Sequence, residues 1–371
     1  MAMANILENI KFASSSFSDI NTHFVHIFIP NIAFLAVYIL IGIVGNSLVI
    51  YIYLRKMEKT TDNHFFIPCL AVGDMLACTV CSTAAIVMFF YYTNFTHEVT
   101  CKIMWYSMTW SASGAALILV FIAFQRYKKI CQPFKPSTLL DRKLTIVICL
   151  YVSSTFVSSP LLYTSGLSHL TLEEGNKTIT LHICERIRQD LREDWRINIA
   201  LAFTGLEAFI VLSVATILTT LYLKVGLKLA KHLKTMSKKR KDGSNGNSQE
   251  TESSSEVSTI KPGQSKSIRK KGTYKSFRHK REKFNQEHHY TYIFIAISGV
   301  CIVTYSPRLL LMILESVKEN FWLSFYENES LLRFLKLLNR FHIINNIANP
   351  FLYAMFDKKF KAQLLQILQC K

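Results

Sequence analysis

The sequence predicts an all-α membrane protein, a seven-helix bundle followed by a short amphipathic eighth helix. Three observations predict it: seven long apolar runs, basic residues confined to alternate connections, and glycosylation signals confined to the others. A hydrocarbon core takes about 20 apolar residues in helix. Suitable runs stand at Phe28–Leu54, Phe65–Tyr91, Ile103–Ile130, Leu144–Tyr163, Ile197–Leu223, Tyr292–Leu314 and Leu331–Phe356. Half of the 371 residues are hydrophobic and the mean hydropathy is +0.23, which is too apolar for an ordinary soluble domain.

The connections fix the orientation. Those after the first, third and fifth runs carry Arg55, Lys56 and Lys59, then Lys128, Lys129, Lys135, Arg142 and Lys143, then a long Lys- and Arg-dense segment. By the positive-inside rule these face the cytoplasm, so the N-terminus is outside and the C-terminus inside. The net charge of +18 is therefore an orientation signal and not a nucleic-acid surface. The acceptors Asn94-Phe-Thr96, Asn176-Lys-Thr178 and Asn328-Glu-Ser330 all fall in connections assigned outside, where N-glycosylation occurs. Residues 1–26 read as an exposed tail and not a signal peptide, because the stretch to Thr22 is polar.

Of nine cysteines, five lie inside apolar runs, and Cys131 and Cys370 are on the reducing side. That leaves Cys101 and Cys184 facing the oxidising compartment, and a disulfide between them is expected.

Polar residues kept within the apolar runs narrow the reading, since the membrane makes them costly. Gly45-Asn46-Ser47-Leu48-Val49, Leu70-Ala71-Val72-Gly73-Asp74, Gln125-Arg126-Tyr127, Tyr305-Ser306-Pro307 and Asn349-Pro350-Phe351-Leu352-Tyr353 follow one another in that order. In order and spacing they resemble the signatures of the rhodopsin-like (class A) G-protein-coupled receptors, in the style of the peptide receptors. The resemblance covers Gly45 to about Leu368.

Asn46, Asp74 and Asn349 at membrane depth are expected to face one another inside the bundle. The resemblance adds Asn345 and Tyr353 and implies that the network rearranges on activation. It also implies a sodium site at Asp74, but Ala115 stands where the family carries a serine ligand, and no metal is expected. For the cytoplasmic lock it implies Arg126 with Tyr127 and Tyr222, and a resting pair between Arg126 and Glu287. Gln125 replaces the family's acid before the arginine, which removes a restraint and raises ligand-free signalling. Pro307 and Pro350 break helical hydrogen bonding and are expected to act as hinges, with Tyr305 in the toggle position before the sixth-helix proline. Leu150, Val214, Ala116 and Cys301 depart from the family's usual Trp, Pro and bulkier packing residues.

The ligand is expected to be a peptide. Met108 stands where an amine receptor has its acid, and Ile343 where an opsin has its lysine. Met108, Glu207, Arg308, Arg340 and His342 are the pocket candidates: Glu207 and Arg308 either pair with each other or meet a charged or amidated peptide end. Thr178–Cys184 alternates with period two, as a strand does, so a hairpin is expected over the pocket, beside Glu173, Glu174, Glu185, Arg186 and Arg188. A non-peptide small molecule is the alternative ligand, a secondary transporter is the rival function, and neither an enzyme nor a cofactor site is indicated.

On the inner side, Lys224, Lys228, Lys231 and Lys234 fall at helical spacing, and residues 234–284 are expected to form a largely disordered basic loop. Ser253, Ser254, Ser255 and Ser258 are phosphorylation candidates for an arrestin-like partner, and the basic flanks suit anionic lipid. Residues 357–371 read as an amphipathic helix and tail, with Phe360, Leu364, Leu365 and Leu368 on one side and Cys370 as a palmitoylation candidate. The chain is expected at the plasma membrane, with a heterotrimeric G protein as its signalling partner.

Overall fold

The structure, a computed structural model, describes residues 17–57, 63–132, 142–174, 177–188, 195–244, 266–318 and 321–369. Its helices are α1 (Phe17–Tyr51, continued by a π-helical turn Ile52–Lys56), α2 (Asn63–Phe90), α3 (Glu98–Cys131) and α4 (Lys143–Ser158, followed by one turn Leu161–Thr164). After a hairpin of β1 (Gly166–Glu174) and β2 (Lys177–Glu185) come α5 (Arg196–Ser244), α6 (Lys266–Val317), α7 (Glu329–Asn339), α8 (Ile344–Phe356) and α9 (Lys358–Leu368).

Among the described residues six helical segments are long and apolar enough to cross a membrane, and they coincide with the first six apolar runs. The seventh run is broken: α7 stops at Asn339, Arg340 leaves helical geometry at φ −96° and ψ 2°, and a 3₁₀ turn Phe341–Ile343 leads into α8. Broken backbone at membrane depth is tolerated only inside protein, and Arg340, His342 and Ile343 are accordingly buried. This chain is built inside out relative to a soluble protein. Phe156 is 72% exposed and Leu40, Phe209 and Met355 face outward with it, whereas Asn46 and Asp74 are fully buried. Apolar side chains toward lipid and polar ones inward is the arrangement a bilayer selects.

The core has two apolar clusters with a polar layer between them. At the hairpin end Phe24, Phe28, Phe89, Tyr92 and Tyr326 pack ring on ring, Phe28 and Phe89 stacking at 4.7 Å between centroids. At the other end Tyr53, Phe66, Ile122, Phe294, Tyr353 and Phe360 form the second cluster. Helix α1 starts at Phe17, well before the expected Phe28. Its extra turns have partners: Asn21 donates to the Phe90 carbonyl at 2.9 Å and accepts from the Thr93 amide at 3.1 Å, and His23 meets Glu329 at 3.1 Å.

The expected hairpin is present, β1 and β2 running antiparallel with Leu167 opposite Cys184 and His169 opposite His182. Its inner strand is tied to the α2–α3 connection by His182 N–H to the Thr93 carbonyl and Phe95 N–H to the His182 carbonyl, each 2.9 Å. The Cys101–Cys184 disulfide anchors it to the first turn of α3. The inner segment differs from expectation. Residues 234–244 continue α5 and residues 266–284 belong to α6, so much of the 234–284 loop is helical, as Lys- and Arg-rich sequence of good helix propensity allows. The serine cluster between these helices, Asn176 and Cys370 lie outside the described residues.

Close helix approaches occur at glycines. A Cβ on Gly42 would lie 2.6 Å from Cys78 Sγ, on Gly45 2.9 Å from Pro350 Cγ, and on Gly114 2.3 Å from the Tyr151 ring. The Tyr151 ring also reaches Gly73 and Trp110, so the fourth helix contributes its aromatic contact from Tyr151 and not from Leu150. Overpacking costs about 1–3 kcal/mol. Gly114→Leu is expected to lower the melting temperature of the purified protein by several degrees, and Tyr151→Ala to recover part of that loss when combined with it. Strictly additive losses in the double variant would show that the two positions do not meet.

Candidate functional site

The site has three levels, beginning with the polar layer. Asp74 on α2 accepts a short hydrogen bond from the Asn349 amide of α8. Asn46 on α1 donates to the Gly42 carbonyl of its own helix and to the Asn346 carbonyl of α8, both at 3.0 Å. Asn345 reaches Asn346 Oδ1 at 3.5 Å. Three helices are thus joined by groups that hydrocarbon would not accept singly. Asp74 Oδ1, Asn349 Oδ1 and Asn346 Nδ2 have no protein partner, which leaves the layer capacity for a second bonding arrangement. Tyr353, expected in this network, lies instead among rings, with Tyr53 at 5.7 Å and Phe360 at 6.0 Å between centroids.

At the end of α3 away from the hairpin, Arg126 is 1% exposed and places its guanidinium over the Phe294 ring at 5.1 Å. This cation–π contact ties α3 to α6. Gln125 is buried and neither of its amide atoms has a hydrogen-bond partner. Tyr222 of α5 is buried in the same cluster, and Tyr127 faces Lys224 at 5.9 Å. Glu287 belongs to the part of α6 whose side chains lie outside the described residues. Sequence reasoning missed a pin beside this level: Tyr53 donates to Asp357 at 2.8 Å, and Asp357 caps α9 by accepting from the Lys359 and Phe360 amides. An acid directly before an amphipathic run was the available signal.

The hairpin end holds two cavities. One is walled by Tyr92, Trp105, Trp322, Lys336, Arg340 and Glu315, with Glu185 of β2 also on its wall. Lys336 sits 3.7 Å above the Trp322 ring and 5.1 Å from Tyr92. The other lies between α3, α5 and α6 and has a mainly apolar wall, with Glu207 and Arg308 as its charged residues. Ala116, Val214 and Cys301, three of the residues that depart from the family pattern, line it together with Tyr305. Small side chains at those positions are what leave the space.

Glu207 and Arg308 do not pair. Glu207 accepts from Arg186, just past β2, at 2.7 Å, while Arg186 also donates to Thr204 at 3.3 Å. The closer guanidinium came from the loop, where sequence distance gave no warning. Met108 and His342, also expected in the pocket, lie in the packed core: Met108 is 1% exposed, and His342 packs at a tilt against Tyr305 at 5.5 Å and contacts the Asn339 carbonyl. Tyr305, beside Pro307, therefore touches the break in the seventh span, where Pro350 is also buried, in α8. Asn94 forms a bridge to His182, and Asn328 caps α7 by accepting from the Leu331 amide at 2.9 Å.

The sequence is similar to those of known proteins. Residues 45–353 match the model of the 7 transmembrane receptor (rhodopsin family). Similar curated proteins include neuropeptide FF receptor 2 of Mus musculus, 27% identical over 58% of this chain and 53% of that protein. Neuropeptide Y receptor type 4 of Mus musculus is 30% identical over 38% of this chain and 37% of its own length. Cholecystokinin receptor type A of Homo sapiens is 26% identical over 54% and 47%. The matched stretch spans about half or less of each relative's length. With the family model covering most of the bundle, the chain is a multi-pass membrane protein and belongs to the rhodopsin family of seven-transmembrane receptors.

Proposed function

We propose that this chain is a plasma-membrane receptor with its hairpin end outside. It binds an extracellular peptide there and activates a heterotrimeric G protein when the inner end of α6 swings outward. The observation that carries the reading is the polar layer. Asn46, Asp74 and Asn349 join three helices between a cavity-bearing outer cluster and a buried arginine held against α6. Such a layer costs free energy in a bundle that only has to be stable, and it suits a bundle with two arrangements.

Peptide binding is supported by the names of the relatives, by the hairpin roof and by an outer cavity with aromatic walls. Phosphorylation of Ser253, Ser254, Ser255 and Ser258 gives an arrestin-like partner its acidic tract, and the basic inner helices rest on anionic lipid. A peptide library applied to cells expressing the chain, read through calcium and cyclic AMP, tests the reading. Peptides are expected to respond; responses to amines or other small molecules alone would turn the assignment to the non-peptide alternative.

Gln125 cannot neutralise its neighbour Arg126 as a carboxylate would. Gln125→Glu is therefore expected to lower ligand-free nucleotide exchange in membranes several-fold, and equal basal exchange in the two forms would count against the lock. Asp74→Ala and Asn349→Ala each remove one end of the same hydrogen bond. Their losses of ligand-stimulated exchange are expected to be non-additive, with a coupling of about 0.5–3 kcal/mol. Independent losses would remove the layer from the mechanism.

A further inference from the structure

Two guanidinium groups stand at the hairpin end where the surroundings are apolar. Arg340 occupies the break between α7 and α8, is 6% exposed, and faces the cavity walled by Trp322 and Lys336. Its contacts are Met88 Sδ at 3.6 Å and the Trp105 ring at 5.5 Å, and its Nη1 has no hydrogen-bond partner. Arg308 lines the neighbouring apolar cavity with its buried Nη1 likewise unpartnered. The two arginines flank one contact: His342, two residues after Arg340, packs against Tyr305, three residues before Arg308, at 5.5 Å between ring centroids.

Two nearby carboxylates are committed elsewhere. Glu207 is held by Arg186 at 2.7 Å, and Glu185 accepts from Ser168 at 2.6 Å. Glu315 and Glu185 share the cavity wall with both Lys336 and Arg340. Among the described residues no carboxylate forms an ion pair with Arg340 or Arg308. Burying an uncompensated ion costs several kcal/mol even after relaxation, and charges at such depth serve function by default. A guanidinium offers a planar fork that fits one carboxylate in two hydrogen bonds.

We propose that Arg340 and Arg308 form a carboxylate-binding site, into which the ligand places a free acid group while a bulky apolar group beside it enters the cavity lined by Ala116, Val214 and Cys301. This rests on the ligand-binding reading of the outer half and deepens it. The recognised end is anionic, which excludes an amidated or cationic one.

Two measurements test it. The first needs no ligand: Arg340→Met keeps the length of the side chain and removes an uncompensated charge, so the melting temperature of the purified, unliganded receptor is expected to hold or rise. A fall of several degrees would mean that the fold already satisfies Arg340 and would overturn the proposal. The second applies paired peptide libraries to expressing cells, every sequence with a C-terminal free acid and again as the amide, beside a panel of apolar organic acids. Free acids are expected to activate. Amidation, Arg340→Gln or Arg308→Gln should each raise the half-effective concentration of the acid at least tenfold, with surface expression matched by antibody. Activation by the organic acids alone, lost in Arg340→Gln, upholds the carboxylate site while refuting the peptide reading. Equal potency of acids and amides, unmoved by Arg340→Gln, upholds the peptide reading and overturns the site.

Discussion

The hydrogen bond from Asn349 to Asp74 is the contact on which the rest of this bundle depends. Each partner alone would be an unsatisfied polar group in hydrocarbon, at a cost of several kcal/mol. Each can be buried only if α2 and α8 stay together, and Asn46 extends the demand to α1 through the Asn346 carbonyl. The apolar clusters above and below gain little from facing each other instead of lipid. The polar layer therefore gives the helices a specific reason to associate in one register, and close backbone approaches at Gly42 and Gly45 bring α1 near enough to take part.

Specific association and capacity for change are not opposed here. Asp74 and Asn349 each leave an oxygen, and Asn346 its amide, without a protein partner. A network with unused donors and acceptors can exchange one set of bonds for another without passing through a fully unsatisfied state. Gly114 and Gly73 pack tightly on Tyr151, whereas the face of α3 toward α5 and α6 is underfilled because Ala116 and Cys301 are small. Helices α1 to α4 thus have the close packing of a frame. The boundary of α5 and α6, which also carries Tyr305 and Pro307, has the room a moving element needs.

The seven apolar runs, the Cys101–Cys184 bridge, the hairpin and the pairing of Asp74 with Asn349 were legible in the sequence. Each follows from a rule that acts on residue type and order alone: hydrocarbon thickness, redox side, period-two alternation and the cost of buried polarity. What could not be read was pairwise geometry. Glu207 and Arg308 sit at comparable depth, and nothing in the order of residues says that Arg186 reaches the carboxylate first. The break at Arg340 escaped because it contains neither Pro nor Gly. Helix α5 outran its expected end because polar sequence of good helix propensity resembles a disordered loop in composition.

That break also locates the coupling between the outer cavity and the polar layer. His342 packs against Tyr305 of α6, and within the next turn of the same span Asn345 and Asn346 enter the layer. A ligand group that draws on Arg340 therefore pulls on the 3₁₀ turn that sets the position of both. Because a 3₁₀ turn has poorer hydrogen bonding than α-helix, it is the segment of the seventh span that rearranges at least cost. A continuous helix would transmit such a pull only as a rigid rod. Under the proposed function, the interruption lets displacement at the cavity become rotation of α8, which moves Asn349 relative to Asp74, while the Tyr305–His342 contact, two residues before Pro307, carries the change to α6.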